Sequence, residues 1–255
     1  MIPNPIRKVL SSIQKHRVRA LLMGGQACVF YGAAEFSRDT DLAILADAAN
    51  LSRLRAALAE LQAEVIAVPP LRLEYLRRGH AVHFRCRHPE AFRMRVDVMS
   101  VMRGVDSFNK LWARRATVTL PDGFSADLMS LPDLVKAKKT QREKDWPMLT
   151  RLVEAHYFQH RSTANPSQLT FWFLELRTPE LLLELARRHP ALCRRLTPKR
   201  PLLACARLAD ISGLEPGLRD EEDRERQADR LCWLPLRREL EALRHRSQPR
   251  VNRKP

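Results

Sequence analysis

LLMGGQACVFYGAAEFSRDTDLAIL, residues 21–45, decides how the rest of the chain reads. Three apolar residues, Leu21, Leu22 and Met23, run into Gly24-Gly25. A helix-capable stretch with Ala27, Val29 and Phe30 follows, and a polar turn then leads to Asp39-Thr40-Asp41 at the head of another apolar run. Strand side chains alternate between faces, so carboxylates at i and i+2 project from the same face. Like charges held side by side repel, and burying them unpaired is costly. A divalent cation relieves that repulsion, and oxygen-only ligands suit Mg²⁺ or Mn²⁺. Glycines ahead of a helix leave backbone N–H groups free to meet a phosphate. A phosphate cradle beside a carboxylate clamp is equipment for phosphoryl or nucleotidyl transfer.

Outward from this stretch the pattern stays mixed. Residues 3–16 read as a leading helix with Pro3 or Pro5 near its start, 18–23 as a buried strand, and 24–31 as a helix that Gly32 ends with positive φ. Residues 40–45 form the next strand. Asn50 or Ser52 is positioned to cap a helix over 51–62, where Leu51, Leu54, Leu58 and Leu61 recur at helical spacing. The short apolar run 65–68 stops at Pro69-Pro70.

Residues 81–87 and 92–99 alternate apolar and polar and read as a hairpin turned by His88-Pro89-Glu90. Residues 117–120 and 124–129 flank Pro121-Asp122-Gly123, where proline sets φ and glycine relieves strain. That makes five or six strands, all before residue 130. Beyond it, 131–152 is rich in lysine, arginine and leucine and reads as one helix capped by Ser130 or Asp133. Further helices are expected over 167–176, 179–188, 201–209 and 220–246, punctuated by prolines, with a frayed basic tail from 247 to 255. The fold class expected is α+β: a small mixed sheet with flanking helices over 1–130, then an all-helical C-terminal half over 131–255.

Two carboxylates make half of a two-metal site, so a third belongs on a neighbouring strand. Asp97 is the best candidate, because aspartate is a poor strand former and lies on the polar face of 92–99 with Arg93 and Arg95. The alternative for Asp97 is a salt bridge to one of those arginines, and Asp127 is the fallback third ligand. His80, His83 and His88 lack metal-ligand spacing and read as ordinary surface or core histidines. Trp172, between Phe171 and Phe173, reads as core.

Composition bounds the partners. The 255 residues are 45% hydrophobic and 29% charged, which is globular. The formal charge of +16, supplied mostly by arginine, favours nucleic acid or another polyanion, and equally fits a merely solvated arginine-rich surface. Five scattered cysteines without C-x-x-C spacing argue for neither a zinc site nor a disulfide framework. No stretch has the roughly 20 apolar residues that span a bilayer, and no secretory signal is recognisable, so a cytoplasmic protein without membrane partners is expected.

Gly24-Gly25 followed about a dozen residues later by Ser37-x-Asp39-x-Asp41 resembles the signature of the DNA polymerase β-like nucleotidyltransferase superfamily. More specifically, the chain is similar to bacterial nucleotidyltransferases of the abortive-infection and toxin–antitoxin type. In those a segment after the sheet carries Lys, Arg and Asp, as residues 134–146 (LVKAKKTQREKDW) do here. The two segments cover about residues 20–152. The resemblance implies an enzyme that moves NMP from an NTP to an acceptor hydroxyl. Mg²⁺ or Mn²⁺ would be held by Asp39, Asp41 and Asp97, and Gly24, Gly25 and Ser37 would lie at the triphosphate. Lys138, or alternatively Lys136, would reach the nucleotide phosphates, and Asp145 would orient that lysine or Arg142. On a single helix Lys138, Arg142 and Asp145 would share a face, so the helix over 131–152 is expected to complete the active site; a solvated helix laced with ion pairs is the plainer alternative.

The acceptor is open: RNA, in particular a tRNA 3′ end, a protein side chain, or a small molecule such as an antibiotic. A toxin silenced by a cognate antitoxin protein is the implied setting, and a non-catalytic RNA-binding module on the same fold is the rival. Two positions depart from the pattern. Gly25 stands where many members have serine, and Glu35 where toxin-type relatives often carry arginine.

Overall fold

The computed structural model of the chain describes residues 4–34 and 36–247. Pro3, Glu35 and the tail beyond Ser247 lie outside the described residues. The fold is α+β. In chain order the elements are α1 (Asn4–Lys15), β1 (Ala20–Met23), α2 (Gly24–Phe30), β2 (Asp39–Ile44), α3 (Ala48–Glu60), β3 (Glu64–Val65), α4 (Leu73–Arg78), β4 (Val82–Arg85), β5 (Arg95–Met99), α5 (Phe108–Ala113), β6 (Ala116–Thr119), β7 (Ser125–Leu128) and α6 (Leu131–Ala137). They continue as α7 (Asp145–His160), α8 (Pro166–Glu175), α9 (Pro179–Arg188), α10 (Pro190–Leu196), α11 (Leu203–Leu208) and α12 (Ile211–Ser247).

The chain divides into two compact units. One holds the described residues of Met1–Phe30, Glu35–Leu134 and Cys232–Pro255; the other holds Tyr31–Ala34 and Val135–Leu231. The first contains a mixed seven-stranded sheet in the order β3-β4-β5-β2-β1-β7-β6. β1 runs antiparallel to β2, and β2 runs parallel to β5. The seventh strand, beyond the five or six expected, is β3. Its two residues pair with β4 but are too few to show an alternating pattern.

β1, β2 and β5 occupy the middle of the sheet, where apolar side chains are buried while Asp39, Asp41 and Arg95 stay half-buried. Leu21, Leu22, Leu42, Ile44, Val96 and Val98 are fully buried, each contributing roughly 1.5–3 kcal/mol of transfer free energy. The cap of α3 differs from expectation. Asp47 takes it, accepting from the Asn50 backbone N–H at 2.6 Å. Asn50 itself turns inward: its amide bonds the Arg19 backbone at both N–H and C=O and also donates to the Leu45 carbonyl. A buried amide that satisfies three backbone groups joins the start of β1 to the end of β2, a use no capping preference could foretell.

The second unit is helical. Trp172 and Phe173 are buried at its centre beside Tyr157, as the core reading expected, and the Trp172 indole donates to His156 Nδ1 at 2.9 Å. Arg200 is buried there as well. It donates to the carbonyls of Phe173 and Leu176, at the C-terminal end of α8, and to the Glu221 carboxylate. A buried guanidinium is tolerable because each of its faces has an acceptor. α12 contains Pro235, whose missing N–H leaves the Leu231 carbonyl without its helical donor, and residue 231 is the last of this unit.

Candidate active site

Strand register builds the acidic part of the site. β2 and β5 pair with Asp41 opposite Asp97 and Asp39 opposite Arg95. Paired residues of neighbouring strands share a face, and i, i+2 residues do too, so Asp39, Asp41 and Asp97 stand together on one side of the sheet. Thr40, Leu42, Val96 and Val98 take the other side and are buried. The antiparallel β4 adds His83 opposite Asp97 and Arg85 opposite Arg95. The face therefore carries three carboxylates with one imidazole and two guanidinium groups at their edge.

The three carboxylates are not in equal states. Asp97 is 7% exposed, and its Oδ1 accepts from Arg95 Nε at 2.8 Å and from His83 Nδ1 at 2.9 Å. Arg95 Nη2 also lies 3.2 Å from His83 Nδ1, but a nitrogen that donates to the carboxylate cannot accept as well, so His83 is assigned its proton on Nδ1. Burial by itself would raise the Asp97 carboxyl; the bonds and charge of His83 and Arg95 outweigh it and hold the group below its ordinary value. The Arg95 guanidinium is raised in turn, first by its bond to Asp97, with Asp39 and Asp41 adding to the field. The Asp39 side chain makes no hydrogen bond or ion pair among the described residues. Both bonds to Asp97 end on Oδ1, which leaves Oδ2 uncommitted among the described residues. Among those residues no group of three His, Cys, Asp or Glu side chains is gathered to hold a metal ion.

The glycine turn abuts this cluster. Gly24 has φ +66°, and a β-carbon placed there would lie 1.9 Å from Asp41 Oδ2. At Gly25 a β-carbon would come within 2.8 Å of Ser37 Oγ, which donates to the Asp39 carbonyl at 3.1 Å. Gly24, Gly25, Ser37, Asp39, Asp41 and Asp97, distant in sequence, thus meet in one place in the first unit. Only a residue without a side chain allows the backbone so near the Asp41 carboxylate.

Lys138, Arg142 and Asp145 belong to the second unit, and here the expected helix over 131–152 is corrected. α6 ends at Ala137 and α7 begins at Asp145, with residues 138–144 forming a loop between them. The shared helical face does not exist, yet the side chains converge on Asp145. Lys138 Nζ lies 3.5 Å from its Oδ1; Thr140 Oγ1 donates to its Oδ2 at 2.6 Å and Arg142 Nε at 2.8 Å. Lys138 and Asp145 are 8% and 5% exposed. At the break Thr140 offers the backbone another partner: Arg142 N–H donates to Thr140 Oγ1. Lys136, the alternative to Lys138, remains on α6 and is exposed.

Asp127, the fallback ligand, sits on β7 with β1 between it and β2. Its carboxylate is taken by Thr117 and Arg115, and it borders a cavity of about 50 Å³ with Leu10, Ile13, Leu22 and Leu42. That volume suits water and not a triphosphate. His83 is the participant that sequence reasoning missed. The alternation of AVHFRCR against FRMRVDVM already put His83 on the polar face of a hairpin partner of Asp97, and only the register was lacking. Comparison with protein-family models gives no match, and comparison with curated proteins gives none either.

Proposed function

We propose that this protein is a metal-dependent nucleotidyltransferase that moves NMP from an NTP to an acceptor hydroxyl. The observation that carries the reading is the register of β2 on β5, which sets Asp97 beside Asp41 while Asp39 shares their face. The donor set fits Mg²⁺ or Mn²⁺ in kind: carboxylate oxygens only, with Asp39 and the second oxygen of Asp97 uncommitted among the described residues. Bound there, such an ion would polarise phosphoryl oxygens and lower the pKa of an attacking hydroxyl. The chain's own groups would do the rest. In the first unit Gly24 brings the backbone of the turn close to Asp41 and Arg95 holds Asp97 as a charged carboxylate; in the second, Lys138 and Arg142 would be cationic donors for phosphate oxygens. RNA is the acceptor that the excess of +16 favours, with a protein or small molecule as the other classes. A toxin regulated by a cognate antitoxin is the setting the motif pattern supports.

One observation favours a second reading. Asp97 is already neutralised by Arg95 and His83, as it would be in an RNA-binding module that kept the fold without the chemistry. Incubation with each labelled NTP, Mg²⁺ and total RNA or lysate separates the two. Label transfer that vanishes in Asp39→Ala and Asp41→Ala supports the enzyme. RNA binding indifferent to both substitutions, with no transfer, supports the module.

A further inference from the structure

The loop 138–144 has only isolated turn bonds along its main chain, and side chains from elsewhere help to fix its shape. Three helices of the second unit tether three consecutive residues. Glu175 of α8 holds Lys139 Nζ at 2.7 Å. The Trp146 indole of α7 donates to the Thr140 carbonyl at 3.0 Å. Asp229 of α12 accepts from the Gln141 backbone N–H at 2.9 Å. Trp146 is itself backed by Arg177, whose guanidinium lies 4.8 Å from its ring centroid and reaches Glu221 of α12.

Asp229 is the notable member. It is 3% exposed on a helix otherwise rich in exposed charge, 88 residues away from the group it binds. A buried carboxylate is costly unless bonded, and one of its bonds goes to the loop's main chain, between the lysine and the arginine that face Asp145. We infer that Asp229 is a positioning residue for the Lys138–Arg142 pair: by fixing the Gln141 backbone it holds both cations in the geometry that receives a polyphosphate. The inference rests on the phosphate role proposed above for that pair. It gives α12, at the far end of the chain, a part in anion recognition without contact to the anion, as the supporting shell of a binding group does.

The test is calorimetric titration of the full chain with inorganic tripolyphosphate in Mg²⁺, on wild type, Lys138→Ala, Asp229→Ala, Asp229→Asn and the double variant Lys138→Ala/Asp229→Ala, with urea unfolding recorded for each. Asp229→Ala is expected to weaken binding about tenfold, the scale at which a supporting partner is felt. Asp229→Asn, whose amide oxygen still accepts from Gln141, restores it. The double variant loses less than the sum of the two single losses, because Asp229 acts in part through Lys138. Unchanged binding in Asp229→Ala, or a loss that adds in full to that of Lys138→Ala, overturns the inference and leaves the phosphate role standing. Wild-type protein that ignores tripolyphosphate, or Lys138→Ala that binds it as wild type does, overturns the phosphate role and the inference with it, and that result is read before Asp229 is changed. If Asp229→Ala does not fold, Asp229→Ser, whose shorter side chain gives up the bond to Gln141, carries the same outcomes.

Discussion

The acidic face in the first unit and the lysine–arginine loop in the second are both clusters of charge, and they are built by different means. On the acidic face the backbone does the placing. Two strands paired in parallel set Asp41 against Asp97, and their carboxylates would stay neighbours if every side-chain bond were cut. In the loop, placement is delegated to side chains: Thr140 and Arg142 on Asp145, Glu175 on Lys139, Asp229 on Gln141. A ladder of strand hydrogen bonds is shared among many residues, whereas each tether of the loop is a single bond worth about 0.5–3 kcal/mol. The acidic face should therefore respond to loss of its own charges, and the loop to changes made well away from it.

The sharpest way to break that contrast is Asp41→Ala. With the register intact, the fold should survive and NMP transfer should fall by about a thousandfold, the order seen when a preorganised electrostatic group is removed. A labelled-NTP assay measures it, and near-normal transfer would show that the acidic face is not where chemistry occurs. Gly24→Ala attacks the same face through the backbone. A left-handed φ of +66° and a β-carbon 1.9 Å from the Asp41 carboxylate should cost about 2–3 kcal/mol in urea unfolding and reduce transfer as well. A variant as stable as wild type would mean that the turn has room.

Lys138→Ala tests the loop. Asp145 keeps Thr140 and Arg142 as donors, so the melting temperature should barely move. KM for the NTP should rise about tenfold or more, the loss of a charge-assisted contact of about 1.5–3 kcal/mol. An unchanged KM would leave the loop a structural ion-pair network.

The smallest effect is in acid, and it separates the units. Burial, with His160 nearby, pushes His156 down to about 4, against roughly 6.5 in an unfolded chain. The unfolded state therefore takes up the proton first. The stability that His156 contributes is complete above pH ~6.5 and is lost as pH falls towards 4, on the order of 1–2 kcal/mol after allowing for its partial exposure. Asp97, also depressed, works in a lower window: the unfolded carboxyl protonates below about 3.9, and the contribution disappears as pH falls further, through the folded value. Urea titrations from pH 7 to 3 should show the helical unit weakening first, with His156→Gln flattening the upper window. Coincident loss in both units would contradict the assignment.

How much of this was legible follows from the same contrast. Period-two alternation and the turn at Pro121-Asp122-Gly123 placed the strands, because sheet faces are chosen by burial, and burial is written in the residue types. The motif residues of the first unit lie together in the structure: Gly24 against Asp41, Gly25 against Ser37, Asp97 beside Asp41. The salt bridge weighed for Asp97 also exists, to Arg95 and not to Arg93. Arg93 has φ +63° in the turn ahead of β5, off the alternating face. In the second unit the charge pattern named Lys138, Arg142 and Asp145 but mistook their scaffold. Helical spacing is a local rule, and bonds from Thr140, Trp146 and Asp229 outweighed it.

By itself the sequence determined which apolar stretches are buried, which stretches alternate, where prolines and glycines must turn the chain, and that three aspartates sit on strands. All of these depend on side-chain size, polarity and backbone freedom within a few residues. Only the tertiary structure decided that Asp41 faces Asp97, that His83 and Arg95 share the Asp97 carboxylate, that Asn50 joins two strands, and that a carboxylate on the last helix holds the loop after α6. Those are contacts between groups far apart along the chain, and their partners are chosen by register and packing, which no local preference encodes.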